Sequence, residues 1–243
     1  MSLTERQKEI VVGTLLGDGY LEHDGFKASR LQIKQSERKK DYVFWLYNEF
    51  QNLVKTPPKQ RKDNGQWYFS TRSLVELDFF RNLFYGSGSK SVPATIKKLP
   101  VSSLSLAVWF MDDGTLDYRV KSHYSFSFST DSFSQSDVRL LQEVLYEKFK
   151  IKTSIQTPSC RGKKYIKLYV GKDGRDIFLS TIQPYILSCF DYKLPQIILD
   201  PSETDLEKAG NCFQHSEIAG AIRRRTPALI FKLKKAAYPC TWQ

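Results

Sequence analysis

The sequence predicts an α+β fold built from two pseudo-symmetric αββαββα repeats, each with its helices stacked on one face of an antiparallel sheet. Three observations carry that expectation. An apolar helical run ending in Asp-Gly occurs twice, over 10–20 and 104–115, and its last aspartate recurs 95 residues on, as Asp18 and Asp113. Each run leads toward a segment with the apolar–polar alternation of a half-buried strand. The remaining helix and strand signals then follow in the same order in both halves.

Taken in order, the first half opens on the helix that ends at Gly17-Asp18-Gly19. Residues 29–35 form a strand with Leu31 and Ile33 inward and Arg30, Gln32 and Lys34 outward. A helix over about 39–54 comes next, with Tyr42, Leu46, Phe50 and Leu53 on one face. Two short strands near 58–61 and 67–71 join through Asp63-Asn64-Gly65, and Asn-Gly between β-prone runs signals a hairpin. A helix over about 74–84 ends the half, and a Gly/Ser-rich loop with a short helix to Leu99 links it to the next. In the second half the matching strand is 124–130, with Phe126 and Phe128 inward and Ser125, Ser127 and Ser129 opposite. A helix over 135–149, strands near 152–156 and 165–170, and a helix over 174–182 complete it. The expected division is a first repeat over 1–99, a second over 100–200, and a basic extension over 201–243 that holds Arg223-Arg224-Arg225.

Composition narrows the partner. Lys and Arg number 37 against 26 Asp and Glu, a net charge of +11, which favours a polyanion such as nucleic acid. Cys160, Cys189, Cys212 and Cys240 stand far apart with no C-x-x-C spacing, so neither a zinc site nor a disulfide framework is expected. No apolar run approaches the about 20 residues of a membrane span. A soluble intracellular protein is expected, in the cytoplasm of a prokaryote or in an organelle.

A carboxylate at a helix C-terminus sits at the negative end of the helix dipole and asks for a compensating cation. Gly19 and Gly114 read as left-handed residues that end the helices. If the two helices pack side by side, Asp18 and Asp113 converge, and two carboxylates with nearby carbonyl oxygens make a hard-oxygen site suited to Mg²⁺. Gly13 and Gly17, four residues apart, supply the small face that such packing needs.

These two runs resemble the signature helices of LAGLIDADG homing endonucleases in their single-chain, two-repeat form, over roughly residues 4–200. The ending Trp109-Phe110-Met111-Asp112-Asp113-Gly114 is the most specific piece. Leu16 and Val108 depart from the pattern, and Val108 implies asymmetric helix packing. The resemblance implies that the sheets form a DNA-binding saddle with the two motif helices at the pseudo-dyad. It further implies that Asp18 and Asp113 bind metal with the carbonyls of Gly17 and Asp112. Two or three Mg²⁺ ions are implied, with Mn²⁺ or Ca²⁺ able to substitute in binding. Gln35, Lys90 and Lys193 match the family's supporting polar residues. Asp131 stands either as the counterpart of Gln35 or as the N-cap of the following helix.

The outward strand residues and their loops make a polar, basic face suited to reading base edges and phosphates. Its expected DNA-binding members are Arg30, Gln32, Lys34, Lys59, Arg61, Tyr68 and Arg72 in the first half. In the second half they are Ser125, Ser127, Arg161, Lys163, Lys164, Lys167 and Tyr169. The sequence therefore reads as a monomeric, metal-dependent, site-specific double-strand DNA endonuclease, and the resemblance implies that it cuts across the minor groove with a stagger. The alternative on the same fold is an RNA maturase that assists intron splicing. A DNA-binding regulator on an inactive fold is disfavoured by retention of both aspartates.

Overall fold

Thr4 and Ser102 start the two central helices in the same way. Each hydroxyl accepts from the backbone N–H three residues on, and the side chain there, Gln7 or Ser105, answers the cap's own backbone. In this computed structural model the described residues are 2–195, except 24, 26, 27, 87, 120–122 and 161. The chain divides into Met1–Pro195 and Gln196–Gln243, so the expected C-terminal extension lies outside the described residues.

The elements run α1 (Glu5–Leu16), β1 (Tyr20–His23), β2 (Ser29–Gln35), α2 (Lys40–Glu49), β3 (Lys59–Gln60), β4 (Trp67–Ser70) and α3 (Val75–Tyr85). The second set is α4 (Ser103–Asp113), β5 (Gly114–Arg119), β6 (His123–Ser129), α5 (Gln135–Phe149), β7 (Ser154–Gln156), β8 (Ser159–Cys160), β9 (Lys163–Lys164), β10 (Lys167–Val170) and α6 (Arg175–Ile182). The predicted α+β class and αββαββα order hold in both halves. The added β8–β9 hairpin was not expected; Gly162, at φ 76°, makes its turn. The helix expected over 39–54 splits into a 3₁₀ turn at Glu37–Lys39, α2, and a second 3₁₀ turn at Gln51–Leu53.

Two four-stranded antiparallel sheets result, in the orders β1-β2-β4-β3 and β5-β6-β10-β7. Tyr20 pairs with Gln32, and 95 residues on Thr115 pairs with Ser127, so the sequence offset survives as structural register. Alternation works as expected: Leu31, Phe126, Phe128, Leu168 and Val170 are buried. Trp109 of α4 stacks on Phe128 at 4.0 Å, and Phe110 meets Phe126, Phe128 and Phe178 edge-on, which pins α4 to its own sheet. Helix α1 packs along α4, leaving the opposite sheet faces open. Among the described residues, no helix is long and apolar enough to cross a membrane.

Candidate nucleic-acid interface and its carboxylate centre

The centre is built where α1 and α4 end together. A Cβ on Gly13 would lie 2.5 Å from the Ser105 carbonyl and 2.8 Å from Val108 Cβ; one on Gly17 would lie 2.5 Å from Asp112 Cβ. Gly13 therefore faces Val108, and Gly17 faces Asp112, each glycine opposite its own counterpart in the other motif. This is the asymmetric packing that Val108 implied. Gly19 and Gly114 do not adopt the expected left-handed conformation. Gly114 is extended at φ −76°, and Gly19 is outside the positive-φ glycines. Both are glycine because of crowding: a Cβ would meet the Thr14 carbonyl at 2.8 Å or the Phe110 ring at 2.0 Å.

Three carboxylates gather there. Asp112 Oδ2 accepts from the Asp18 N–H at 3.2 Å, and Gln35 Nε2 donates both to Asp18 Oδ2 at 2.9 Å and to Asp112 Oδ1 at 3.2 Å. Gln35, at the end of β2 and 7% exposed, thus bridges the two motifs. Burial and the charge of Asp18 push Asp112 up to about 8 and Asp113 up to about 7. Burial and Asp112 also hold the Tyr42 phenol well above its usual range.

Cations answer from three sides. Lys90 Nζ donates to the Gly17 and Gly19 carbonyls at 2.5 and 3.0 Å, and Lys193 Nζ to those of Phe110 and Met111 at 3.1 and 2.8 Å. Each lysine caps the motif helix of its own repeat, satisfying carbonyls the helix end leaves open. Burial lowers both, Lys193 to about 8 with Lys39 as its next cause. Lys39, absent from the expected set, lies 3.7 Å from Asp18 Oδ2 and donates to the Asp112 carbonyl at 3.4 Å.

Asp131 matches neither expectation, as the counterpart of Gln35 or as the N-cap of α5. Register places Thr130, not Asp131, 95 residues after Gln35; Thr130 is buried and donates to the Ile166 carbonyl. Asp131 is an exposed turn residue, and Ser134 is the N-cap of α5. Ser134 also stands 95 residues after Lys39. Among the described residues, the positions equivalent by that offset to Gln35 and Lys39 thus hold Thr130 and Ser134.

Titration of the centre gives a stability signature. Between the ordinary carboxylate range near 4 and about 7, the native protein binds more protons than the unfolded chain at Asp112 and Asp113. Stability from these groups thus falls as pH rises through that window. A Tm-against-pH profile without divalent ions should show that decline, flattened in Asp18→Asn; equal slopes in the two proteins would reject the coupling.

On the open sheet faces, Arg30, Lys34, Lys59, Arg61, Arg72 and Lys164 are exposed, and Gln32, Tyr68, Ser127, Lys167 and Tyr169 are half-buried. Arg30, Gln32, Lys59, Tyr68 and Arg72 line one groove of about 650 Å³. Ser125 departs from expectation: strand alternation gives it the right face, but it is only 1% exposed, too covered to meet a ligand. Its hydroxyl has no hydrogen-bond partner among the described residues. Lys163 lies in β9 on the added hairpin. Arg161 lies outside the described residues.

Known proteins resemble this chain over the same span. The model of the LAGLIDADG DNA endonuclease family matches residues 8–176. Cytochrome b mRNA maturase bI2 of Saccharomyces cerevisiae is 27% identical over 202 residues, 76% of this chain but only 46% of that protein. DNA endonuclease I-ChuI of Chlamydomonas applanata is 26% identical over 212 residues, 80% of this chain and 96% of that one. The structure of homing endonuclease I-WcaI bound to its DNA recognition sequence aligns with a TM-score of 0.70 at 26% identity, covering 80% of this chain and 88% of that one.

Proposed function

The chain belongs to the LAGLIDADG DNA endonuclease family, and from that membership we propose that it is a site-specific homing endonuclease that hydrolyses both strands of a long DNA site. The observation that carries this reading is the close joining of the two motif helices, which sets the Asp18 N–H on Asp112 Oδ2 at 3.2 Å and brings the carboxylates of both motifs to one place. Two such carboxylates, with the carbonyls of Gly17 and Asp112, form a donor set of hard oxygens that fits Mg²⁺. Their mutual repulsion is what a divalent cation relieves. Among the described residues no three His, Cys, Asp or Glu side chains form a metal cage. Asp18 and Asp113 would hold the ions, whose chemistry would be to polarise the phosphoryl oxygens and lower the pKa of the attacking water.

The chain's own residues do the rest. Gln35 orients the Asp18 carboxylate, and Lys39 adds positive charge on the same side. Lys90 and Lys193 keep the helix ends closed and place ammonium groups where phosphate charge collects. Because both carboxylates come from one chain, a monomer suffices. The exposed basic face takes the duplex: Arg30, Lys34, Lys59, Arg61, Arg72 and Lys164 meet phosphates and bases, with Gln32, Tyr68, Ser127, Lys167 and Tyr169 between them.

Digestion of genomic DNA with the purified protein and Mg²⁺, followed by sequencing of every new end, tests the proposal. Paired ends at one motif with a constant stagger are expected, and their absence would reject it. Binding to the duplex should weaken by about 10³-fold or more between about 50 and 200 mM salt, as phosphate contacts release counterions. A nearly flat salt response would remove the basic face from the proposal. The maturase relative supports RNA as the second reading; tight binding to structured intron RNA with no DNA ends would select it.

A further inference from the structure

On a face this basic, two carboxylates stand at equivalent positions. Glu22 of β1 lies opposite Arg30 of β2, and 95 residues on Asp117 of β5 lies opposite Ser125 of β6. Strand alternation puts both on the open side, away from buried Leu21 and inward Leu116. Their side chains are 39% and 58% exposed. A carboxylate on a surface for DNA repels phosphates and gains nothing from them. What it can do is accept from a base edge or hold a basic side chain in place.

The two positions divide these tasks. Glu22 Oε2 lies 2.9 Å from both Nε and Nη2 of Arg30. That contact engages one edge of the guanidinium and leaves the edge between Nη1 and Nη2, two parallel donors of the spacing that pairs with guanine O6 and N7. Asp117 has no arginine across from it, since Ser125 occupies that place and is buried. Among the described residues its ion-pair neighbour is Arg119, at a loose 3.9 Å. Asp117 is left to accept directly, and in the major groove cytosine N4 is the donor it fits.

We infer that Glu22 and Asp117 are specificity-determining residues: Glu22 positions Arg30 to select guanine in one half of the DNA site, and Asp117 selects cytosine at the equivalent distance from the pseudo-dyad in the other. The inference rests on the endonuclease reading and adds to it a non-palindromic feature of the target. Both carboxylates lower affinity for wrong sequences, so their value lies in discrimination and not in tightness.

The test is selection from a randomised duplex library, without added divalent ions, for the wild type, Glu22→Gln and Asp117→Asn. The wild type should enrich one sequence. Glu22→Gln should lose about tenfold of guanine preference at a single position, and Asp117→Asn should lose cytosine preference at the mirrored one, in line with the worth of one bidentate contact. Affinity for unselected duplex should rise in both variants. Unchanged preferences at every position would overturn the inference while leaving the endonuclease reading intact, as would a uniform loss of affinity. A wild type that enriches no sequence would overturn both.

Discussion

Asp18→Asn is expected to abolish double-strand cleavage while leaving duplex binding nearly as tight as before. The amide keeps the size of the carboxylate and can still meet Gln35, but it loses the charge that holds a divalent ion. Stabilisation of transition-state charge by such an ion is worth several kcal/mol. At 1.36 kcal/mol per factor of ten, a fall of about 10³-fold or more in rate follows. The same change should raise Tm at neutral pH. Asp18 pushes Asp113 and Asp112 upward, and its removal relieves buried Asp112 and half-buried Asp113 of a like charge. Cleavage assays, gel shifts and a melting curve on one preparation decide the matter. Full cutting by the variant rejects Asp18 as a metal ligand, and a lower Tm rejects the electrostatic account.

Gly13→Ala should be strongly destabilising. Its Cβ would stand 2.5 Å from the Ser105 carbonyl, a backbone atom that cannot rotate aside, and 2.8 Å from Val108 Cβ. Relief requires α1 and α4 to separate along their whole contact. Overpacking of this kind costs about 2–3 kcal/mol, or a fall in Tm of about 5–10 °C for a domain of this size. Cleavage should fall with it, because the shift moves Asp18 away from Asp112 and Asp113. Pairing the change with Val108→Ala should recover part of the lost Tm; no recovery would place the strain elsewhere.

Much of this was legible before any coordinates. Two nine-residue motifs at a fixed offset fix the order of elements, the pairing of the helices and the meeting of Asp18 with Asp113. Gln35 was also readable, since it ends an alternating strand that starts beside a motif. Lys39 was not: it lies in the charged run Glu37-Arg38-Lys39-Lys40, where no local period singles out one residue. Only the 3₁₀ turn at Glu37–Lys39 aims it at Asp18. Thr130 is legible too, for the 95-residue offset from Gln35 itself points past Asp131. Ser125 shows a different limit, because alternation says which face a side chain takes and not what covers it. Gly19 and Gly114 show a third: Asp-Gly after a helix is equally the mark of a left-handed cap and of a crowded approach, and only packing separates the two.

The facing of Gly13 by Val108 and of Gly17 by Asp112 also makes the two repeats unequal partners at their seam. A pair of first repeats would set glycine against glycine and leave a void where the valine sits. A pair of second repeats would set Val108 against Val108 and bring two buried Asp112 carboxylates together. The two halves are therefore complementary at the seam and not interchangeable there: the small side is supplied by one motif and the bulk and the carboxylate by the other.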